Sequence, residues 1–194
     1  MILQRNLIFL LAASALAGCS GPHEPIAQLA SDPALTATDP VISAAALLVG
    51  AESAADAEAR APMIARLDAL GVAALPEVGE DPLADWRREY VAPAGEVFRG
   101  RTLGPGYRRA QLAAGQRVVI DQIFYAGERA NMAAQTRSGQ QVDLHVANAK
   151  AQKVCEAQLS PNASCRWLPI FTERFSITLT NRGTTPASVY LVFD

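Results

Sequence analysis

Residues 174–193, RFSITLTNRGTTPASVYLVF, contain the pattern that decides the class of this fold. In the first half of the stretch, apolar residues alternate with polar ones, which is the period of a β-strand that buries one face, and the second half is a strand of the same period with Val189, Leu191 and Phe193 on one face. The predicted inward residues are Phe175, Ile177 and Leu179 in the first strand and Val189, Leu191 and Phe193 in the second. Between them Asn181, Arg182 and Gly183 predict a turn, after which the chain returns as the last strand.

The same alternation extends back to about Pro93. In Gln141–Val146 the apolar residues Val142, Leu144 and Val146 are predicted to face inward. Further strands are predicted at 97–103, 107–112, 116–125 and 131–136, with glycine-containing turns between several of them. A total of roughly seven or eight short strands predicts an antiparallel, jelly-roll-like β-sandwich over residues 93–194.

The preceding segment, residues 38–92, is rich in alanine and has helical periodicity. Asp39 and Pro40 predict the N-cap and first residue of one helix, which Gly50 would end. Two further helices are predicted, from Ser53 to Gly71 with Asp56 in the capping box, and from Asp81 and Pro82 with Trp86 and Tyr90 on one face. We therefore expect a mainly β protein in which two or three short helices precede the sandwich, either as a separate unit or as a cover for it.

The first eighteen residues have the order of a secretory signal. Arg5 lies in a short polar stretch, an apolar run follows from Leu7 to Ala13, and small residues lead to Cys19. The run ends before it reaches the length of about 20 apolar residues that a transmembrane helix needs. Residues 1–18 are therefore predicted to be an export signal that is removed from the mature chain.

The run Leu16-Ala17-Gly18-Cys19 resembles the lipobox of bacterial lipoproteins. The resemblance implies that the Cys19 thiol receives diacylglycerol, that cleavage precedes Cys19, that its new amine is acylated, commonly with palmitate, and that residues 19–37 form a tether. In that family an Asp after the cysteine often marks retention in the inner membrane. Here Ser20 follows, which implies the outer membrane, facing the periplasm. The alternative is an ordinary secretory signal with a cysteine near its cleavage site.

Once Cys19 is assigned to lipid, two cysteines remain, Cys155 and Cys165, in a compartment where disulfides persist. Ser160, Pro161 and Asn162 between them predict a turn. We expect a disulfide that closes a hairpin-like excursion. The rival interpretation, a metal or redox pair, would need a C-x-x-C spacing or a neighbouring histidine, and the sequence offers neither at this place.

The last hundred residues are similar to the bacterial pre-peptidase C-terminal domain, a small jelly-roll-like sandwich appended to many secreted enzymes. The resemblance rests on Leu112–Gln116, on Asp143–Val146, and on the ending in which Phe175–Leu179 leads to Asn181, Gly183 and Tyr190–Val192. It implies a role in interaction or stability and no reaction. The cysteine pair departs from the pattern of that family.

The sequence contains no recognisable catalytic constellation. Its two histidines are His23, in the tether, and His145, on the polar face of a predicted strand, and neither accompanies a G-x-S-x-G turn or a metal-ligand spacing. Without Arg5 the mature part has 17 − 1 = 16 Lys and Arg against 19 Asp and Glu, which is too weak and mixed a balance for nucleic acid. We therefore expect no enzyme, no metal site and no cofactor.

Trp167 and Phe171 follow Cys165 in the run WLPIF and form a candidate contact patch, unless both belong to the sandwich core. The leading hypothesis is a non-enzymatic lipoprotein of the cell envelope whose sandwich binds or stabilises another envelope component, expected to be a protein. The alternative is carbohydrate binding or glycan processing through the sandwich face near His145 and Trp167.

Overall fold

A computed structural model describes residues 39–75, 81–89, 104–159 and 161–194. Its helices are α1 Pro40–Ser53, α2 Ala57–Ala69 and α3 Pro82–Glu89. Its strands are β1 Ala73–Ala74, β2 Gly106–Leu112, β3 Arg117–Phe124, β4 Ala130–Thr136, β5 Val142–Ala147, β6 Lys153–Leu159, β7 Asn162–Trp167, β8 Glu173–Asn181 and β9 Ala187–Phe193. The export signal, Cys19, the tether with His23, Tyr90, the strand predicted at 97–103 and Ser160 lie outside the described residues.

The strands form two sheets that enclose a common core. Sheet A has the order β1-β2-β9-β4-β7, and sheet B has the order β3-β8-β5-β6. Neighbouring strands are antiparallel, apart from the short parallel contact of β1 with β2. Most consecutive strands alternate between the sheets, which is the arrangement of a jelly roll. The predicted antiparallel sandwich, preceded by short helices, is confirmed.

The core between the sheets contains the residues that the alternation predicted. Each such side chain contributes about 1.5–3 kcal/mol when it is fully buried. They include Phe175, Ile177 and Leu179 of β8, Val142, Leu144 and Val146 of β5, and Val189, Leu191 and Phe193 of β9. One expectation was wrong, because β8 and β9 do not run side by side. They lie in different sheets, so the turn after Asn181 carries the chain across the sandwich.

Sheet A is also covered on its outer face, because the helices pack on it. The outward residues Tyr107, Ala133, Tyr190 and Val192 are at most 2% exposed and pack with the apolar side chains of α1, α2 and α3. The side chain of Ala133 is small, which allows the alanine-rich helix α1 to approach β4 closely. Strand β9 is therefore buried on both faces, whereas the sequence pattern predicted burial of one.

The first helix begins where it was predicted and ends later. Asp39 is its N-cap, and the carboxylate accepts a hydrogen bond from the Val41 N–H at 2.9 Å. Gly50 does not end the helix, which continues to Ser53. A Cβ atom at Gly50 would lie 2.8 Å from the Met63 sulfur, so this glycine permits the close contact of α1 with α2 instead.

The second helix begins four residues later than predicted. Asp56 is its N-cap residue, and the Asp56 carboxylate accepts a hydrogen bond from the Ala59 N–H at 2.8 Å. Asp56 was predicted three residues further into the helix, at the capping-box position. The helix continues through Pro62 without interruption. Gly71, two residues beyond its end, has a φ of +70°, the left-handed conformation that glycine adopts at helix C-termini.

The third helix is joined to sheet A by a tyrosine hydroxyl. Asp81 is positioned as the predicted N-cap, because its carboxylate accepts from the Ala84 N–H at 3.0 Å. The hydroxyl of Tyr107 donates to the same carboxylate and accepts from the Leu83 N–H at 3.2 Å. Burial and the neighbouring carboxylate raise the pKa of Tyr107, so this bridge keeps its proton. Trp86 is 9% exposed and packs within the helical layer.

The structure contains the disulfide between Cys155 and Cys165, but this bond does not close a hairpin. Cys155 lies in β6, which pairs with β5 at the edge of sheet B. Cys165 lies in β7, which pairs with β4 at the edge of sheet A. The hairpin-like excursion was a wrong prediction, because a turn pattern shows that the chain reverses but not which sheet each arm joins. The bond instead connects the two sheets along one side.

Replacing both cysteines (Cys155→Ala with Cys165→Ala) should lower the free energy of unfolding by about 3 kcal/mol, because the bond restricts the unfolded chain. Urea denaturation followed by circular dichroism measures this change. Dithiothreitol should destabilise the native chain to a similar extent and leave the double variant unchanged. Equal stability of the two proteins without reductant would contradict a stabilising role.

Candidate functional site

Three loops meet at one end of the sandwich. They are residues 125–129, 148–152 and 168–172, and we term this surface the loop end. The Gly127 N–H donates to the Pro169 carbonyl at 3.0 Å, which joins the first loop to the third. The Ala149 N–H donates to the Glu173 carboxylate at 3.3 Å, which joins the second loop to the start of β8. The loops are therefore held together as one surface.

Large apolar side chains are exposed at the loop end. Ile170 is 81% exposed, Phe171 66%, Leu168 63% and Tyr125 59%. Single exposed apolar residues are common on proteins, but a group on adjoining loops indicates a surface that meets another molecule. We term these four residues the apolar patch.

The apolar patch is continuous in the chain with an aromatic cluster in the sandwich core. Trp167 is half-buried, and its ring centre lies 4.8 Å from that of Phe124 and 5.5 Å from that of Phe175. Edge-on packing of this kind holds ring positions fixed. The two residues of the predicted contact patch therefore differ in position. Phe171 lies at the surface, whereas Trp167 packs beneath the loop. That the two residues contact a partner stays a prediction.

A groove of about 200 Å³ lies beside the apolar patch. Its lining includes Lys150, Val154, Trp167 and Phe171. Pockets for small ligands usually measure about 300–1,000 Å³. The loop end therefore suits contact with an extended surface better than enclosure of a small molecule.

The first described residue, Asp39, lies at the same end of the sandwich. Its carboxylate accepts from the Asn131 side-chain amide at 2.9 Å and forms an ion pair with Arg166. Asn131 follows the first residue of β4, and Arg166 precedes the last residue of β7, beside the loop end. Burial raises the pKa of Asp39, but the hydrogen bonds from Asn131 and Val41 and the Arg166 guanidinium outweigh it, and the pKa lies below its ordinary value.

A second exposed apolar strip, which was not among the predicted contact residues, lies on edge strand β3. Val119 is 54% exposed and Ile123 is 49% exposed, with Asp121 between them 3.7 Å from the Arg174 guanidinium. A groove of about 690 Å³ runs along this strand. The signal was present in the sequence, since RVVIDQIF has apolar residues on both faces of the predicted strand.

His145 and Trp167 do not form one site. His145 lies on the outer face of sheet B, between Thr178 of β8 and Glu156 of β6. Trp167 packs against Phe175, which faces the core on the inner side of the same sheet. His145 faces outward from sheet B, whereas Trp167 of β7 in sheet A packs toward the core, so the two residues do not share one face. Carbohydrate binding or glycan processing by the sandwich stays a prediction.

At the opposite end of the sandwich, charged side chains fasten α1 to sheet A. Glu52 of α1 forms an ion pair with Arg109 of β2, with side-chain exposures of 12% and 20%. The Ser188 hydroxyl of β9 lies 3.3 Å from the same carboxylate. Burial and the Glu52 carboxylate raise the pKa of Tyr190, so its hydroxyl stays neutral. This cluster has a structural role.

Within residues 39–75, 81–89, 104–159 and 161–194, no group of three or more His, Cys, Asp or Glu side chains is arranged to hold a metal ion. In the same ranges, none of the helices combines the length and the apolar character required to cross a bilayer.

No family model matches this chain, and no curated protein matches it. Among solved structures, the pre-peptidase C-terminal domain of a Bacillus anthracis collagenase is 8% identical with a TM-score of 0.38, covering 45% of this chain and 87% of that domain. PliG of Aeromonas hydrophila, a periplasmic inhibitor of g-type lysozyme, is 10% identical with a TM-score of 0.37, covering 50% of this chain and 93% of PliG.

A mitogen derived from Yersinia pseudotuberculosis is 7% identical with a TM-score of 0.36, covering 46% of this chain and 84% of the mitogen. At these scores and identities the likenesses carry no argument about family or activity. The classification as a β-sandwich rests on the strand order of the chain itself.

Phe171→Ala should change the free energy of unfolding by less than about 0.5 kcal/mol, because the side chain is exposed. Phe175→Ala, the same chemical change at a core position, should lower it by about 3–5 kcal/mol. Chemical denaturation of both variants measures the difference. If Phe171→Ala proved as destabilising as Phe175→Ala, Phe171 would belong to the core and not to a contact surface.

Asp39→Asn should lower the stability at pH 7, because it removes the charge that faces Arg166. The folded-state pKa of Asp39 lies below its unfolded value, so the ionised carboxylate stabilises the fold above the unfolded pKa, and this stabilisation is lost as the pH falls through the folded pKa. The gap between variant and native chain should therefore close below pH 3.8, the ordinary value. Thermal unfolding across pH tests this, and a gap independent of pH would contradict it.

Proposed function

We propose that this chain is a non-enzymatic lipoprotein of the bacterial cell envelope, whose sandwich contacts another envelope component through the loop end. The observation that carries the proposal is the exposure of Leu168, Ile170 and Phe171 on loops joined by hydrogen bonds. The sequence supports the anchor, through the export signal and the run that ends at Cys19.

The proposed anchor is the lipid on Cys19. A single acyl chain binds a bilayer only marginally, whereas several chains, at about 0.8 kcal/mol for each buried methylene, hold a protein there stably. Ser20 after the cysteine favours the outer membrane, with the sandwich in the periplasm. The disulfide between Cys155 and Cys165 is consistent with that oxidising compartment.

The loop end has the build of a binding surface. Strand β7, which leads directly into the third loop, is held by the disulfide of Cys165 and by the packing of Trp167 on Phe124. A loop held in one conformation loses little entropy on binding, so the same contacts give higher affinity.

Replacement of Cys19 (Cys19→Ala) should abolish incorporation of labelled palmitate and leave the unprocessed precursor, because the thiol that receives the lipid is lost. Metabolic labelling followed by electrophoresis measures both effects. The matched control is Cys165→Ala, which should still be labelled and processed. Label retained in Cys19→Ala would contradict the anchor.

The contact is tested by a photo-crosslinking amino acid placed at Ile170 in intact cells. The probe should form an adduct with an envelope component on irradiation, because the side chain is exposed on the apolar patch. The control position is Thr184, which is exposed in the turn before β9 at the opposite end of the sandwich. Equal or absent adduct formation at the two positions would contradict a contact through the loop end.

A further inference from the structure

We propose that the apolar patch docks on the phospholipid surface that holds the chain's own anchor, with Leu168, Ile170 and Phe171 entering the interface. This inference rests on the lipid anchor of the proposed function. It goes further, because it names a lipid surface and not a protein as the component that meets the loop end.

The direction of α1 places its beginning and the apolar patch at one end of the sandwich. Asp39, immediately before α1, is bound by Asn131 and Arg166 beside the ends of β4 and β7 that adjoin the loops. The helix then runs to the opposite end, where Glu52 pairs with Arg109. The chain that arrives from Cys19 therefore reaches the sandwich at the end that exposes the apolar side chains.

Chain length keeps that end near the anchor. Between Cys19 and Asp39 the chain can span no more than about 70 Å. Such a link gives an effective concentration of the order of millimolar, so a contact too weak to hold a free protein on a membrane would still be occupied.

The chemistry of the patch fits a bilayer interface. Leu168, Ile170 and Phe171 offer hydrocarbon without polar groups, and Tyr125 is the kind of amphipathic ring that lies at headgroup level. The cations Lys150 and Arg129 are exposed on the adjoining loops and can meet lipid phosphates, with Glu128 as an acidic neighbour.

The size of the patch also favours lipid over protein. A stable protein interface buries about 800 Å² on each partner with closely matched shapes. Four exposed side chains at the tip of a sandwich are few for such an interface. They are enough for a fluid surface that needs no shape match and that the anchor already keeps close.

The test uses the full lipidated chain reconstituted into vesicles of phosphatidylethanolamine and phosphatidylglycerol, with no other protein present. The photo-crosslinking residue is placed at Ile170 or, as control, at Thr184, and adducts are identified by mass spectrometry. We expect phospholipid adducts at position 170 to exceed those at 184 by roughly tenfold, as for a contact held by apolar burial. The variant Phe171→Ser should reduce the adduct at 170, and the exposed-site control Thr185→Ser should not.

The outcomes separate the two proposals. Equal lipid adducts at 170 and 184 on a chain whose Cys19 carries lipid would overturn lipid docking and leave the anchor standing. A protein adduct at 170 in cells, without lipid adducts in vesicles, would overturn it in favour of a protein partner and keep the contact function. A mature chain without lipid on Cys19 would overturn both. Thermal unfolding of each probe-bearing chain excludes misfolding as a cause.

Discussion

Burial of strand β9 on both of its faces is the constraint on which the rest of the structure depends. Val189, Leu191 and Phe193 enter the core between the sheets, while Tyr190 and Val192 face the other way and are also fully buried. A strand with two apolar faces needs a layer on each side. Sheet B supplies one of these layers, and the helices supply the other, so the helical segment completes the sandwich as its third layer.

The packing of the helices on sheet A also determines at which end of the sandwich α1 begins. Because α1 is fixed at its start by Asp39 and near its end by Glu52, it has one direction across sheet A. That direction places the beginning of the described chain near the loop end, where Asn131 and Arg166 bind Asp39. The outer face of sheet B carries ion pairs such as Arg182 with Asp143 at 2.6 Å, together with the exposed apolar residues Val119 and Ile123 of β3. The packing of the helices on sheet A thus places Asp39 and the apolar patch at the same end of the sandwich.

The disulfide and the aromatic cluster act on the same strand. Cys165 is bonded to the edge of sheet B, and Trp167, two residues later, packs on Phe124 and Phe175. Strand β7 is an edge strand of sheet A, and edge strands have one neighbour fewer to hold them. These two connections compensate for that loss, and they precede the loop whose apolar side chains are exposed.

The sequence alone determined strands β2 to β5, β8 and β9, the buried residues of β5 and β8, the helix caps at Asp39 and Asp81, and the cysteines able to pair, because periodicity and capping depend on residues close in the chain. Only the tertiary structure decided that β8 and β9 lie in different sheets and that β6 and β7 exist as opposed edges. The tertiary structure also placed Phe171 at the surface and Trp167 in the aromatic cluster, and it placed His145 on a different face from Trp167. These outcomes depend on which distant strand offers a free edge and which apolar face needs covering, and a local pattern contains neither.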